Sequence, residues 1–237
     1  MFQYAQPVWL SSDQCLLNTH LIFIESLETL QNSRLLISAS DFYKLYLNDQ
    51  FLGFGPARAA KGYARVDEYD LSLFPESPNG ANILRIEVAG YCCHSLSTVY
   101  QPSFLAAEIL FNDQVLRYTG RDFHCCLKNT QRLQYVERFS VQRHFEEAYD
   151  RFALPSPVET VVLQESTCFI PRHVPVPHCA VHDIAYYSSL GTFKQDHEPT
   201  RINAYSFPIT SEKNWGYFPE EQIKDKSYRF INSLSLT

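Results

Sequence analysis

The sequence predicts an all-β protein, an antiparallel β-sandwich or jelly roll, on three observations. Short apolar runs rich in β-branched and aromatic residues recur through the first 165 residues. Asn-Asp and Asn-Gly corners separate them, and no stretch of comparable strength carries a helical period. Composition agrees: 45% of the 237 residues are hydrophobic and 14% aromatic, with 15 Tyr and 17 Phe, against 19% charged. That balance suits half-buried strands and a sizeable core, and it excludes wholesale disorder.

The elements follow in order. Leu21-Ile22-Phe23-Ile24 and Leu35-Leu36-Ile37 read as short buried strands. Tyr43 to Leu47 alternates, with Tyr43, Leu45 and Leu47 on one face, and meets Asn48-Asp49 before Phe51-Leu52-Gly53-Phe54. Asn and Asp tolerate positive φ, so the spacing predicts a hairpin. After Asn79-Gly80, Asn82 to Val88 places Leu84, Ile86 and Val88 inward and Arg85 and Glu87 outward. The same alternation is expected in Phe104 to Phe111, with a second hairpin at Asn112-Asp113 before Val115 to Tyr118. Glu146 to Arg151 has room for one short helical turn, and Trp9 is placed to plug an end of the sandwich.

Two regions are expected, a β-sandwich over 1–165 and, over 166–237, a proline-punctuated connector opening a second small β-rich region. Pro155, Pro157, Pro171, Pro175 and Pro177 mark the transition, because proline removes ladder donors and stiffens extended chain.

A net charge of -6 draws neither nucleic acid nor an anionic membrane. The first residues lack a basic stretch followed by an apolar one, and no apolar run reaches membrane-spanning length. Seven cysteines without regular spacing point to a reduced, cytoplasmic chain rather than a disulfide framework.

One stretch is more specific. Tyr43-Lys44-Leu45-Tyr46-Leu47-Asn48-Asp49 runs through Gly53-Phe54-Gly55-Pro56-Ala57-Arg58, then Asp67-Glu68-Tyr69-Asp70-Leu71 and Asn79-Gly80-Ala81-Asn82-Ile83-Leu84. Gln101 to Glu108 and Phe145 to Arg151 follow in order. These landmarks resemble the N-terminal region of bacterial α-L-rhamnosidases over roughly residues 8 to 180. Asp49 stands where that pattern usually has Gly, and Cys92-Cys93-His94 has no counterpart in it. The resemblance implies a galactose-binding-like accessory sandwich placed before a helical-barrel catalytic domain. The general-acid Asp-Glu-Arg-x-Gly-Trp run of that barrel is absent here, so no catalytic residue is assigned. What it implies is a non-catalytic module that supports the barrel and takes L-rhamnose-containing carbohydrate. A stand-alone sandwich that binds a protein is the alternative.

Aromatic rings cover the apolar face of a pyranose, and carboxylates and amides take its hydroxyls. Tyr63, Asp67, Tyr91, His94, Tyr100 and Gln101 lie between strands with that chemistry and form the candidate carbohydrate site. Arg58 is expected to pair with Asp67 or Asp70.

No cofactor or metal is expected. Cys92-Cys93-His94 and His124-Cys125-Cys126 lack the Cys-x-x-Cys spacing of structural zinc and read as buried thiols. His173, His178, His182, Asp183 and His197 read as surface or interdomain residues. Glu146, Glu147 and Asp150 read as a solvated turn closing the domain, and Trp215 as an interdomain or sugar-stacking ring.

Overall fold

A computed structural model describes residues 1–10, 16–136, 138, 142–150, 152–164, 167–177 and 179. Of the region expected over 166–237, residues 166, 178 and 180–237, with His178, His182, Asp183, His197 and Trp215, lie outside the described residues.

Two sheets face each other. The first runs β12 (Val161–Val162), β1 (Val8–Trp9), β8 (Phe104–Phe111), β3 (Ser33–Ser40), β6 (Tyr63–Asp70) and β13 (Cys168–Pro171), with β9 (Gln114–Tyr118) also paired to β8. The second runs β11 (Ser156–Val158), β10 (His124–Leu127), β2 (Thr19–Leu27), β7 (Asn82–Gly90), β4 (Phe42–Leu47) and β5 (Gln50–Gly55). Pairing is antiparallel except for β13, which joins β6 in parallel. The first sheet thus takes in residues beyond 165, where the connector is expected to begin.

The alternation in the sequence sets the core. Tyr43, Leu45 and Leu47 of β4 and Leu84, Ile86 and Val88 of β7 are buried against Leu35 and Ile37 of β3 and Leu105 and Ile109 of β8. Each such side chain contributes about 1.5–3 kcal/mol on leaving water. Both expected hairpins form. Asn48 and Asp49 have φ of 50° and 62°, and Asn112 and Asp113 have 49° and 62°, the left-handed pair that matches strand twist.

Two expectations need correction. β8 does not alternate, since Phe104 to Leu110 are all buried. Its outer face is covered too: Leu36, Val66 and Leu110 pack against Phe2, Val115 and Phe169. The buried Glu108 carboxylate, on the same strand, accepts the backbone N–H groups of Gln3, Tyr4 and Ala5 at 2.7–3.2 Å. This N-terminal strap turns an ordinary half-exposed strand into one buried on both faces. Among the described residues of 146–151 there is no helical turn; Phe145 and Tyr149 instead bridge to Arg138 and Arg132.

Trp9 is fully buried between strand ends. A Cβ on Gly90 would lie 2.6 Å from its ring and 2.5 Å from Ser103 Oγ, so the end of β7 closes onto the indole only because residue 90 is glycine.

Candidate functional site at the loop end

Three segments meet at one end of the sandwich: the β5–β6 loop (56–62), the β7–β8 loop (91–103) and residues 142–149. Asp41, between β3 and β4, fixes the start of the second; its Oδ2 accepts Tyr91 N–H at 2.8 Å and Cys92 N–H at 3.1 Å. Leu96 N–H donates to Gln142 O at 3.3 Å and Leu133 N–H to Ala148 O at 2.9 Å, which tie the third segment to the fold. Arg138 Nε donates to Arg143 O at 2.9 Å, and its Nη2 donates to His94 O.

Three of the six expected side chains, His94, Tyr100 and Gln101, gather along the β7–β8 loop beside the β5–β6 loop. The His94 and Tyr100 rings lie 5.9 Å apart, and Lys61 Nζ sits 5.8 Å above Tyr100. Gln101 is anchored at both ends of its amide, accepting from Gly62 N–H and donating to Ser40 Oγ, each at 3.3 Å. Tyr63, expected between strands, instead opens β6 opposite Cys168 of β13, with its ring exposed.

Asp67 is not part of that surface. It has no exposure, and its Oδ1 accepts from Arg172 Nη1 at 2.9 Å while its Oδ2 accepts from Tyr43 Oη at 2.5 Å. Tyr69 Oη lies 3.1 Å from Tyr43 Oη, and burial pushes both phenols up. A Cβ on Gly55 would come within 2.2 Å of the carboxylate. The chain is so tightly packed there that Asp67 is an internal anchor. Arg58 pairs with neither expected acid; its Nη1 donates to Leu96 O at 2.8 Å. Asp70 caps the short 3-10 turn Leu71–Leu73 by accepting Ser72 N–H at 3.0 Å.

Tyr91 belongs to a separate cleft of about 580 Å³, lined also by Ser97, Gln142, Arg143, His144, Phe145, Glu146 and Glu147. Its ring stacks on His144 at 4.0 Å with 6° between the planes. Burial, helped by Arg138 and Arg132, lowers the His144 imidazole to about 4, so it is neutral at pH 7. Its Nε2 lies 3.0 Å from Ser95 Oγ. Burial likewise pushes the Tyr91 phenol up to about 12.

Behind the cleft lies a buried guanidinium. Arg132 Nη1 donates to Asn18 Oδ1 at 2.8 Å and to His20 Nε2 at 2.5 Å. Burial, then Arg132 itself, pushes the His20 imidazole well down, which suits a neutral ring accepting through Nε2. Arg132 Nη2 has no hydrogen bond among the described residues, and Glu147 Oε1 lies 3.8 Å from it. Tyr149 Oη donates to the other oxygen, Glu147 Oε2, at 3.1 Å.

No family model matches the chain, and no curated protein does. Among solved structures, a GH78 family rhamnosidase of Bacillus sp. GL1 aligns with a TM-score of 0.63 at 20% identity, over 73% of this chain and 20% of that one. The likeness is one of fold. An α-L-rhamnosidase from Dictyoglumus thermophilum aligns with a TM-score of 0.42 at 14% identity, over 72% of this chain and 21% of that one. A lectin from Pleurotus ostreatus aligns with a TM-score of 0.36 at 16% identity, over 65% of this chain and 40% of that one. This chain therefore spans about a fifth of the length of the rhamnosidases it matches.

Sequence reasoning reached Tyr91 and passed over its neighbours. His144, Gln142 and Glu147 carry no motif, and Glu147 reads as a solvated turn residue until the fold sets Arg132 behind it. None of the described cysteines lines the cleft. Cys93 packs with Val136 and Phe145, and burial pushes the Cys93 and Cys125 thiols up to about 12, against the thiolate that a metal requires. Among the described residues no three His, Cys, Asp or Glu side chains are grouped to hold a metal ion. His173 is exposed. No helix among them is long and apolar enough to cross a membrane.

Proposed function

We propose that this chain is a non-catalytic β-sandwich module of an α-L-rhamnosidase-like glycoside hydrolase, which supports a helical-barrel catalytic domain and binds carbohydrate at its loop end. The observation that carries this reading is the fold shared with one fifth of a GH78 rhamnosidase. The ordered Tyr-Lys-Leu-Tyr, Gly-Pro-Ala-Arg and Tyr-Asp-Leu landmarks give it independent support. Tyr63, Tyr91, His94, Tyr100 and Gln101 supply the rings and polar groups, while Asp67 holds the framework behind them. The free cysteines among the described residues suit a reducing, cytoplasmic setting.

Calorimetric titration of the purified chain with methyl α-L-rhamnopyranoside and with rhamnosylated oligosaccharides tests the binding role, and saturable heat is expected. Release of nitrophenol from an aryl rhamnoside by this chain alone would refute the non-catalytic assignment. A protein partner captured in place of any sugar would favour the interaction-module alternative.

A further inference from the structure

The cleft beside Tyr91 has the makings of a defined ligand site, and its chemistry narrows what enters. Its volume, about 580 Å³, falls within the range of small-molecule sites. The Tyr91–His144 ring pair provides an apolar wall. Ser97, Gln142 and Arg143 bring donors, and Glu146 and Glu147 bring acceptors. A lining that mixes donors and acceptors around rings matches hydroxyl groups, which do both.

Glu147 is the acceptor that the surrounding groups orient. One oxygen faces the buried Arg132 at 3.8 Å and the other accepts from Tyr149 at 3.1 Å. Its side chain is 55% exposed, with one oxygen bonded by Tyr149 and the other only near Arg132, so lone pairs stay open to a ligand's hydroxyls. Glu146 and Glu147 line the cleft against Arg143, with Arg132 buried behind them, and the chain's net charge of -6 sets the longer-range field against acidic sugars, phosphates and sulfates.

We propose that this cleft binds one neutral pyranose, with Glu147 accepting from its hydroxyls and the Tyr91–His144 pair covering its apolar face. The proposal rests on the carbohydrate reading above and adds to it the place and the class of sugar. Water excluded by the sugar strengthens the Arg132–Glu147 attraction, so binding also stabilises the fold.

The test uses the whole chain, with methyl α-L-rhamnopyranoside and methyl β-D-galactopyranoside as neutral probes and D-galacturonate as the acidic one. Saturation-transfer NMR and calorimetry read binding, and circular dichroism confirms the fold of each variant. At least one neutral glycoside is expected to bind, with galacturonate at least about tenfold weaker. Glu147→Gln is expected to weaken the neutral sugar about tenfold, the effect of losing a charge-assisted hydrogen bond. Gln142→Ala, at an exposed residue of the cleft lining, gives the same direction should Glu147→Gln unfold. Glu68→Gln, on the outer face of the first sheet, retains wild-type affinity. Unchanged binding in both cleft variants with loss in Tyr100→Ala overturns this inference and leaves the carbohydrate reading standing. Equal or tighter binding of galacturonate also overturns it. Failure of the wild-type chain to bind either neutral sugar or the rhamnosylated oligosaccharides overturns both.

Discussion

Replacing Asp67 by Asn tests whether the buried acid is an anchor rather than a ligand contact. The change conserves volume and leaves an oxygen for one partner. It removes the charge facing Arg172, whose side chain is 10% exposed and whose remaining bonds go to the carbonyls of Val174 and Pro175. Gly55 packs so closely that no water can replace the lost interaction. Breaking a buried pair from one side costs about 3–5 kcal/mol; the two carbonyls that still serve Arg172 argue for the lower end, about 3 kcal/mol. For a domain of this size that lowers Tm by about 6–12 °C. Urea unfolding should show a lower midpoint with the slope unchanged. Arg172→Met should cost a similar amount. The double variant should fall short of the sum by more than about 1 kcal/mol, because each single change strands a charge that the double change removes. A cost below about 0.5 kcal/mol for Asp67→Asn, or simple additivity of the two, would refute the anchor. A sugar affinity that falls in Asp67→Asn without loss of stability would return the residue to the binding surface.

Four further outcomes follow from the same structure. The His144 imidazole sits at about 4 in the folded chain against an ordinary 6.5, so only the unfolded chain gains its proton between those values. Stability should be full above about pH 6.5 and fall towards pH 4. His144→Gln should flatten part of that slope in a Tm series, while His20, also pushed down, retains the rest. Glu108→Ala should cost about 2 kcal/mol and expose residues 1–7 to early proteolysis, because three backbone N–H groups lose their acceptor. Asp49→Gly should stabilise the β4–β5 hairpin by about 0.5–1 kcal/mol in urea unfolding, since φ there is 62° and Asp49, almost fully exposed, stands 3.6 Å from Arg85. Among the described cysteines, Cys168 and Cys179 should react at once with a thiol reagent, whereas Cys92, Cys93 and Cys125 should react only on unfolding.

What could be read from the sequence was local. The inward sets on β4 and β7 follow from a period of two against one core, and both Asn-Asp corners follow from residues that accept positive φ. What was missed depends on distant contacts. β8 alternates in expectation because nothing in its own residues reveals that residues 2–5 will cover its outer face. Arg58 lies only nine residues before Asp67 in sequence, yet Arg172, 105 residues away, reaches the carboxylate because β13 pairs in parallel with β6.

The same reasoning explains why the candidate site was half legible. Tyr91, His94, Tyr100 and Gln101 share one loop, so composition alone groups them. Glu147 lies far along the chain from Tyr91 and gains its meaning from Arg132, a cation that the sequence gives no reason to bury. Arg132 is buried because Asn18 and His20 accept from it and Glu147 stands near its free edge. A buried guanidinium needs that compensation whether or not a ligand is present, so Glu147 serves the fold and the cleft together. Charge-conserving Glu147→Asp separates the two duties. It leaves the cation compensated while drawing the acceptor back from the cleft, and it should therefore spare stability more than sugar affinity.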